Sequence, residues 1–262
     1  MAFVPRALSC ICVAIAALPA AGDARACELA AAETARVAAL VDARSIRLAD
    51  GREVKLAGLE LPSAPATPPA VLLAARRFAE TLLVGREVSL RMVSNETDRY
   101  GRPAALVFIN GSETPVQYTL LAAGQARLFP DIDSACLPPL RAQERPAREG
   151  RLGLWGDPGY ALREAADAAA MRADLGRFSV AEGKVVSVRE SGATIYVNFG
   201  RRWRDALTAT ILKRDRRIFT AAGMEPKQLE GRIIRVRGHV ELRNGPVIAV
   251  IRPEQIEIGE RN

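Results

Sequence analysis

Short segments in which apolar and polar residues alternate recur along this chain, and turns containing glycine separate several of them. In the first half they lie at residues 37–41, 45–48, 54–56, 88–93 and 104–109. A period of two is typical of strands that bury one face. Residues 70–84 instead carry their apolar side chains on a helical stripe that ends at Gly85. The chain is therefore predicted to be mainly β with helices, an α+β fold.

Two further helices are predicted in the first half, at residues 116–123 and 137–152. Pro146 is expected to bend the second of them or to delay its start. The Ala-rich segment 161–175 contains little turn chemistry. It is predicted to be a helix that links the first unit to a second one.

The second unit repeats the alternation of apolar and polar residues. Strands are predicted at 181–188, 194–199, 207–212, 233–241, 246–251 and 256–258, with a helix at 215–222. Three strands, a helix and two strands follow one another as in an OB barrel. The predicted organisation is a signal peptide over 1–26, a first domain over 27–157, a helical linker over 158–176 and a small OB-like barrel over 177–262.

The first 26 residues have the features of a secretory signal peptide. Arg6 precedes the apolar run 7–21, and Ala24-Arg25-Ala26 places small residues where a signal peptidase cleaves. We therefore expect export to the periplasm or the medium, with no transmembrane span in the mature chain. In an oxidising compartment Cys27 and Cys136 are expected to form a disulfide. The alternatives are two unpaired buried thiols, or acylation of Cys27, which would anchor a lipoprotein.

Composition excludes several other classes of protein. Hydrophobic residues make up 49% and charged residues 26% of the 262 residues, so the chain can bury cores and is not expected to be disordered. Only one apolar run approaches the length of a membrane span, which excludes a multi-span membrane protein. The single histidine, His239, and the lack of a Cys-x-x-Cys motif exclude zinc fingers and His-rich metal sites.

Positive charge is concentrated in the last third of the chain. From Arg177 onward there are 17 Lys or Arg residues against 10 Asp or Glu residues, an excess that equals the formal charge of +7 for the whole chain. Cationic groups bind phosphates and aromatic faces stack on bases. The predicted nucleic-acid-binding residues are Tyr196, Arg201, Arg202, Trp203, Arg204, Lys213 and Arg214. The predicted partner is nucleic acid or another polyanion, and the alternative is a core tryptophan beside solvated loops.

Four motifs in the first unit point to one family. They are Asp42-Ala43-Arg44-Ser45, the segment from Lys55 to Pro62, Asp98-Arg99-Tyr100-Gly101-Arg102, and Glu144 followed by Gly150-Arg151-Leu152-Gly153-Leu154-Trp155. In these motifs and their spacing, residues 36–156 resemble the thermonuclease (staphylococcal-nuclease-like) family. The resemblance implies an OB-type five-stranded barrel with three helices. It also implies a phosphodiester-cleaving site with one Ca²⁺, a carboxylate that activates water and two arginines.

Several positions of the implied site carry other residues here. The resemblance places Arg44 at a calcium-binding aspartate and Ser63 at the catalytic base. It keeps Glu60 as a metal carboxylate, Lys55 at the first arginine and Arg102 at the second. A positive charge at a ligand position repels Ca²⁺. No cofactor is therefore expected unless the protein is catalytically active, in which case the cofactor is Ca²⁺.

Three hypotheses follow from these residues. In the first, Arg44, Lys55 and Arg102 hold a phosphate without cleaving it, and the protein binds nucleic acid. In the second, a rearranged site that uses Glu60 and Arg102 hydrolyses DNA or RNA. In the third, the barrels bind a protein or glycan of the cell envelope. Purely structural roles are the alternative for these residues. In that case Glu60 would pair with Arg44 or Lys55, and Asp98 and Arg102 would shape a turn.

Overall fold

The computed structural model describes residues 27, 29, 32–42, 44–62, 69–132 and 134–259. The predicted signal peptide, Ala43 and Ser63 lie outside the described residues. Within the described part of the chain, no helix is both long and apolar enough to cross a membrane.

The first unit is a closed five-stranded barrel. Around the ring the strands follow the order β1-β2-β3-β6-β5, and β5 pairs with β1. Only β3 and β6 run parallel, and the other neighbours are antiparallel. The strands are β1 (Glu33–Asp42), β2 (Ser45–Leu48), β3 (Glu53–Leu56), β5 (Glu87–Thr97) and β6 (Pro103–Ile109), and the short strands β4 (Leu59–Glu60) and β7 (Arg127–Leu128) pair with each other. The predicted OB-type barrel is confirmed.

Three helices pack on this barrel, as the sequence predicts. They are α1 (Pro69–Leu83), α2 (Val116–Ala122) and α3 (Leu137–Glu149). Helix α1 contacts β1, and α2 contacts β6 and α3. Helix α3 ends three residues earlier than predicted and contains Pro146.

Two glycines bring the loop after α2 against the segment after α3. The Leu154 N–H donates to the Gly124 carbonyl at 2.8 Å. A Cβ atom on Gly153 would lie 2.4 Å from that carbonyl oxygen, and one on Gly124 would lie 2.2 Å from the Leu152 oxygen. Both residues also have positive φ angles, which glycine adopts without steric cost. This contact gives the Leu-Gly-Leu part of the fourth motif, residues 152–154, a structural role.

The described residues of the second unit form one eight-stranded sheet, not the closed barrel that the sequence predicts; the strand order is β10-β11-β12-β14-β13-β9-β8, and β15 pairs with β13. Its strands are β8 (Arg163–Glu164), β9 (Phe178–Lys184), β10 (Ser187–Ser191), β11 (Thr194–Asn198), β12 (Thr208–Leu212), β13 (Ile233–Leu242), β14 (Pro246–Ala249) and β15 (Ile256–Ile258), and its helices are α4 (Ala168–Ala173) and α5 (Arg216–Ala221). The strand predicted at 181–188 is therefore two strands, β9 and β10.

The two units share part of their strand connectivity. In each, a helix follows a set of antiparallel strands, and a strand after the helix pairs parallel with a strand before it: β6 with β3, and β14 with β12. Strands β9 and β10 are separated by only two residues, but they lie near opposite ends of the strand order: β10 pairs with β11, and β9 pairs with β13. Together they take the place that β1 has in the first unit.

The predicted helical linker over 158–176 is wrong. Only α4 is helical in this segment, and β8 pairs with β9 in the second sheet. Ala165 and Met171 are fully buried in the core of the second unit, and the Ala165 carbonyl accepts the Leu207 N–H at 2.8 Å. Alanine favours helices, but burial of these side chains against a sheet decides the local structure. The segment is thus part of the second unit.

Arg237 on β13 joins the two units. Its side chain is fully buried and pairs with Glu144 of α3 at 2.9 Å and with Glu257 of β15. It also donates to the Leu128 carbonyl at 2.9 Å, while Glu144 accepts the Leu128 N–H at 2.6 Å. Buried charges are tolerated when they are paired and hydrogen-bonded. These contacts hold β13 against α3 and β7.

The ionisation of Glu257 makes the stability of the contact between the two units depend on pH. Burial opposes its ionisation, but the guanidiniums of Arg237, Arg141 and Arg235 outweigh burial and lower its pKa to about 2. A carboxylate with a lowered pKa stabilises the fold above its unfolded-state pKa, near 4.5 here, and this stabilisation is lost as the pH falls towards 2.

We expect the Glu257 carboxylate to account for about 3 kcal/mol of unfolding free energy that is lost between pH 4.5 and 2. Urea unfolding at a series of pH values measures this loss. The Glu257→Gln variant, which has no charge to neutralise at this position, should lose correspondingly less over the same range. Equal losses of unfolding free energy in the wild type and in Glu257→Gln would contradict the stabilising role of the Glu257 ion pairs.

The predicted disulfide is present. Cys27 and Cys136 are bonded, with their Cα atoms 4.7 Å apart and 109 positions apart in sequence. Cys136 is buried at the start of α3, and Cys27 packs against the same core. The bond therefore ties the start of the described chain to the helix that contacts the second unit.

Candidate functional site

The hairpin between β5 and β6 is held by Asp98. One carboxylate oxygen accepts the N–H groups of Tyr100 at 2.9 Å and Arg102 at 3.1 Å, and the other accepts Arg102 Nε at 2.9 Å. Burial opposes ionisation of Asp98, but these hydrogen bonds outweigh it and lower its pKa to about 2. Gly101 has a φ of +74°, which the turn requires. Asp98 and Arg102 therefore shape the turn, as one sequence interpretation proposes.

Arg102 also reaches across the barrel to the turn between β1 and β2. Its Nη1 donates to Asp42 at 2.8 Å and to the buried Ser45 hydroxyl at 2.9 Å. The hydrogen bonds that Arg102 donates to Asp98 and Asp42 raise its pKa above the ordinary value. The Asp42 carboxylate also accepts the Arg44 N–H at 2.8 Å. The guanidinium of Arg102 is thus bound on two sides by carboxylates.

Lys55 lies beside this cluster because of the strand register. It pairs with Ser45 on β2 and with Ala104 on β6. Its Nζ binds Asp131 at 3.0 Å, and the other oxygen of Asp131 accepts the Gly58 N–H at 2.9 Å. Both charged side chains are 18% exposed. The strand register thus places Lys55 beside Ser45, whose hydroxyl accepts a hydrogen bond from Arg102.

Arg44 and Glu60 form the third part of the site. Arg44 donates to Glu60 at 3.2 Å, and its guanidinium lies 5.6 Å from the centroid of the Phe129 ring. Burial raises the pKa of Glu60, although Arg44, Arg127 and His239 partly oppose this rise. The structure therefore bears out the Arg44–Glu60 ion pair that the sequence left as an alternative.

The site is a network of ion pairs. Its three cations, Arg44, Lys55 and Arg102, lie among four carboxylates, Asp42, Glu60, Asp98 and Asp131. Each cation expected to hold a phosphate already has a carboxylate partner. A phosphate would therefore have to compete with at least one carboxylate for each cation.

The carboxylates do not fit a calcium site. Calcium takes about six to eight oxygen ligands. Asp42 and Glu60, nearest to the positions that the resemblance assigns to calcium, each accept a hydrogen bond from a guanidinium. Within the described ranges, no three side chains of His, Cys, Asp or Glu are grouped so as to hold a metal ion.

Most of the site lies in a part of the chain that matches a known family, although Asp42, Arg44 and Ser45 precede the matched residues. Residues 54–157 match the family model described as staphylococcal nuclease homologue. The chain contains a staphylococcal-nuclease-like domain. The match begins within β3, so β1 and β2 precede it although they complete the same barrel. No curated protein matches the chain.

The nuclease-like domain also contains site residues that the sequence did not reveal. Asp131, the partner of Lys55, and Phe129, beside Arg44, lie in the loop after β7. Neither belongs to the four motifs quoted above. The pairing of β4 with β7, continued by the hydrogen bond from the Phe129 N–H to the Gly58 carbonyl, brings this loop to the barrel site.

Outside this domain, the predicted nucleic-acid-binding residues divide into two surfaces. Tyr196 and Trp203 line one pocket of about 170 Å³ with Arg243 and Asn244, on the outer side of β11 and β12. We call this pocket and the adjoining Arg201, Arg202 and Arg204 the stacking face. Trp203 is 50% exposed, whereas Phe199 is buried in the core. Sequence analysis missed Arg243 and Asn244 because they come from a distant hairpin.

Lys213 and Arg214 lie at the opposite end of β12 from the Trp203 loop. With Arg216 and Arg217 they line a separate open pocket beside α5, which we call the helix patch. Lys213 and Arg216 both pair with Glu190 at 3.2 Å. By contrast, Arg201, Arg202 and Arg204 form no ion pair with any described residue. Three cations without ion-pair partners in the described part of the chain therefore adjoin the exposed tryptophan in sequence, and the guanidinium of Arg204 lies 5.7 Å from the centroid of its ring.

Proposed function

We propose that this protein binds nucleic acid, or a similar polyanion, outside the cytoplasm, and that it has lost Ca²⁺-dependent phosphodiester cleavage. The observation that carries the proposal is the stacking face. There, the half-exposed Trp203 lies beside three arginines without carboxylate partners. Aromatic stacking and unpaired positive charge are the two features that binding of single-stranded nucleic acid needs.

The ion pairs of the nuclease-like domain support the loss of cleavage. Arg44 replaces a metal carboxylate and neutralises Glu60. Arg102 is bound by Asp42 and Asp98, so it would have to leave these partners to stabilise a phosphorane. The position implied for the catalytic base carries Ser63, and a hydroxyl is a poor base.

The Cys27–Cys136 bond supports the proposed export. Disulfides persist in oxidising compartments and are rare in the cytosol. The bond uses the Cys27 sulfur, which lipidation would also require. We therefore propose a periplasmic or secreted protein that is not anchored through Cys27.

Salt-dependent binding tests the proposal. The variant with Arg201, Arg202 and Arg204 changed to Glu should bind a fluorescent single-stranded oligonucleotide more weakly than the wild type. If the three arginines neutralise three phosphates, the slope of log affinity against log salt should flatten by about 2. The Trp203→Ala variant should lose about 1–3 kcal/mol of binding free energy if one base stacks there.

The helix patch supplies the matched control. Changing Lys213, Arg214 and Arg217 to Glu removes the same charge at the other end of β12. We expect this variant to lose less affinity, because Lys213 already has a carboxylate partner. A wild-type protein that does not bind the oligonucleotide would overturn the proposal. Salt-insensitive association with an envelope protein would favour the interaction-module hypothesis.

A further inference from the structure

A cleft of about 300 Å³ lies between the two units. Phe129 and Asp131 form its wall on the nuclease-like domain. Phe178, His239 and Arg252 form the opposite wall, on β9, β13 and the segment after β14. Its volume is at the lower end of the range for small-molecule sites, which is enough for a single planar group with a polar substituent.

The cleft has an aromatic wall with an exposed imidazole. The centroids of the Phe129 and Phe178 rings are 5.3 Å apart, and the His239 ring lies 6.3 Å and 5.8 Å from them. His239 is exposed. Its imidazole contacts these rings, and it forms no hydrogen bond or ion pair with the described residues. The imidazole is therefore free to stack against a ligand.

Cationic groups lie at two sides of this aromatic wall. The exposed guanidinium of Arg252 forms no ion pair with the part of the chain that the structure describes. On the other side, Arg44 lies 5.6 Å from the Phe129 centroid, and Asp131 connects the cleft to Lys55. The cleft and the ion-pair network of the nuclease-like domain thus share a wall.

We propose that this cleft binds one nucleotide of a single-stranded nucleic acid, with its base against His239 and Phe129 and its phosphate on Arg252. The proposal rests on the proposed nucleic-acid binding and adds a second contact region to the stacking face. Base stacking on aromatic side chains tolerates any sequence. The cleft would therefore add affinity without base specificity.

The single histidine gives a direct test by proton NMR. The mature protein is prepared without a histidine tag, so that His239 supplies the only imidazole signals. At constant pH it is titrated with thymidine 5′-monophosphate and, separately, with ribose 5-phosphate. We expect the ring current of the base to move the His239 signals upfield with the nucleotide but not with the sugar phosphate. Equal shifts with both ligands, or no shift with either, would overturn the base contact.

Oligonucleotide binding separates this proposal from the proposed function. His239→Ala should weaken binding roughly 5-fold or more, as expected for one lost stacking partner. Arg252→Ala should weaken binding more than Lys184→Ala, which removes one positive charge at the other end of β9. If the wild type binds and only Trp203→Ala weakens binding, the nucleotide site in the cleft is wrong and the proposed function stands. If the wild type does not bind at all, both fail.

Discussion

Replacing Arg237 by methionine is expected to lower the free energy of unfolding by about 3–5 kcal/mol, the largest effect that we expect of a single substitution. The substitution leaves Glu144 fully buried without its 2.9 Å partner and removes one of the cations around Glu257. Glu144 itself is 0% exposed. Glu144 would keep only the weaker 3.4 Å contact with Arg148 and the hydrogen bond from the Leu128 N–H, and its poorly compensated buried charge causes most of the destabilisation. Urea unfolding followed by circular dichroism measures it.

An exposed ion pair nearby provides the control. Arg243 follows β13 and pairs with Glu241 at 2.7 Å, but its side chain is 61% exposed. Arg243→Ala should therefore change the unfolding free energy by no more than about 1 kcal/mol. The double variant Arg237→Met/Glu144→Gln should recover part of the loss, because it removes the stranded charge. Similar effects of Arg237→Met and Arg243→Ala would contradict the role given to the buried pair.

Removing the disulfide is expected to have the second largest effect. The double variant Cys27→Ser/Cys136→Ser should lose about 2–5 kcal/mol of unfolding free energy. The bond closes a loop of 109 residues, and opening a loop of this length gives the unfolded chain much additional conformational entropy. Unfolding of the mature protein by urea, without reductant, measures the loss.

Reductant gives the internal control for this measurement. Wild-type protein in reductant should unfold near the midpoint of the serine variant, while the variant should be unaffected by reductant. A wild-type stability that does not depend on reductant would contradict the expected contribution of the bond.

The strands and helices of both units could be predicted from sequence because their apolar periods are regular. Strand β11 is an example: Ile195 and Val197 are buried and Tyr196 faces outward, as alternation requires. The sequence prediction fails for the Ala-rich segment before β9, because the side chains that this segment buries depend on the tertiary structure around it. Ala165 and Met171 are buried in the core of the second unit, most of whose strands come later in the chain.

The candidate site was only partly predictable. The family resemblance identified Arg44, Lys55, Glu60 and Arg102, and the strand register brings them together. It could not show that each cation has a carboxylate partner. Asp131 is 76 positions from Lys55, and long-range pairs of this kind leave no periodic pattern in a sequence. The two units share part of their strand connectivity without an obvious sequence repeat. The same strand order can be built from different residues, provided that the apolar side chains alternate along each strand.

We propose above that this protein, although it contains a nuclease-like domain, binds nucleic acid without Ca²⁺-dependent cleavage. The most direct test incubates the mature protein with fluorescent single- and double-stranded DNA in Ca²⁺, in Mg²⁺ and in chelator, with Arg102→Ala in parallel. We expect intact DNA in every reaction and salt-sensitive binding by the wild type in the same samples. Metal-dependent cleavage that is lost in Arg102→Ala would contradict the loss of activity and favour a rearranged active site.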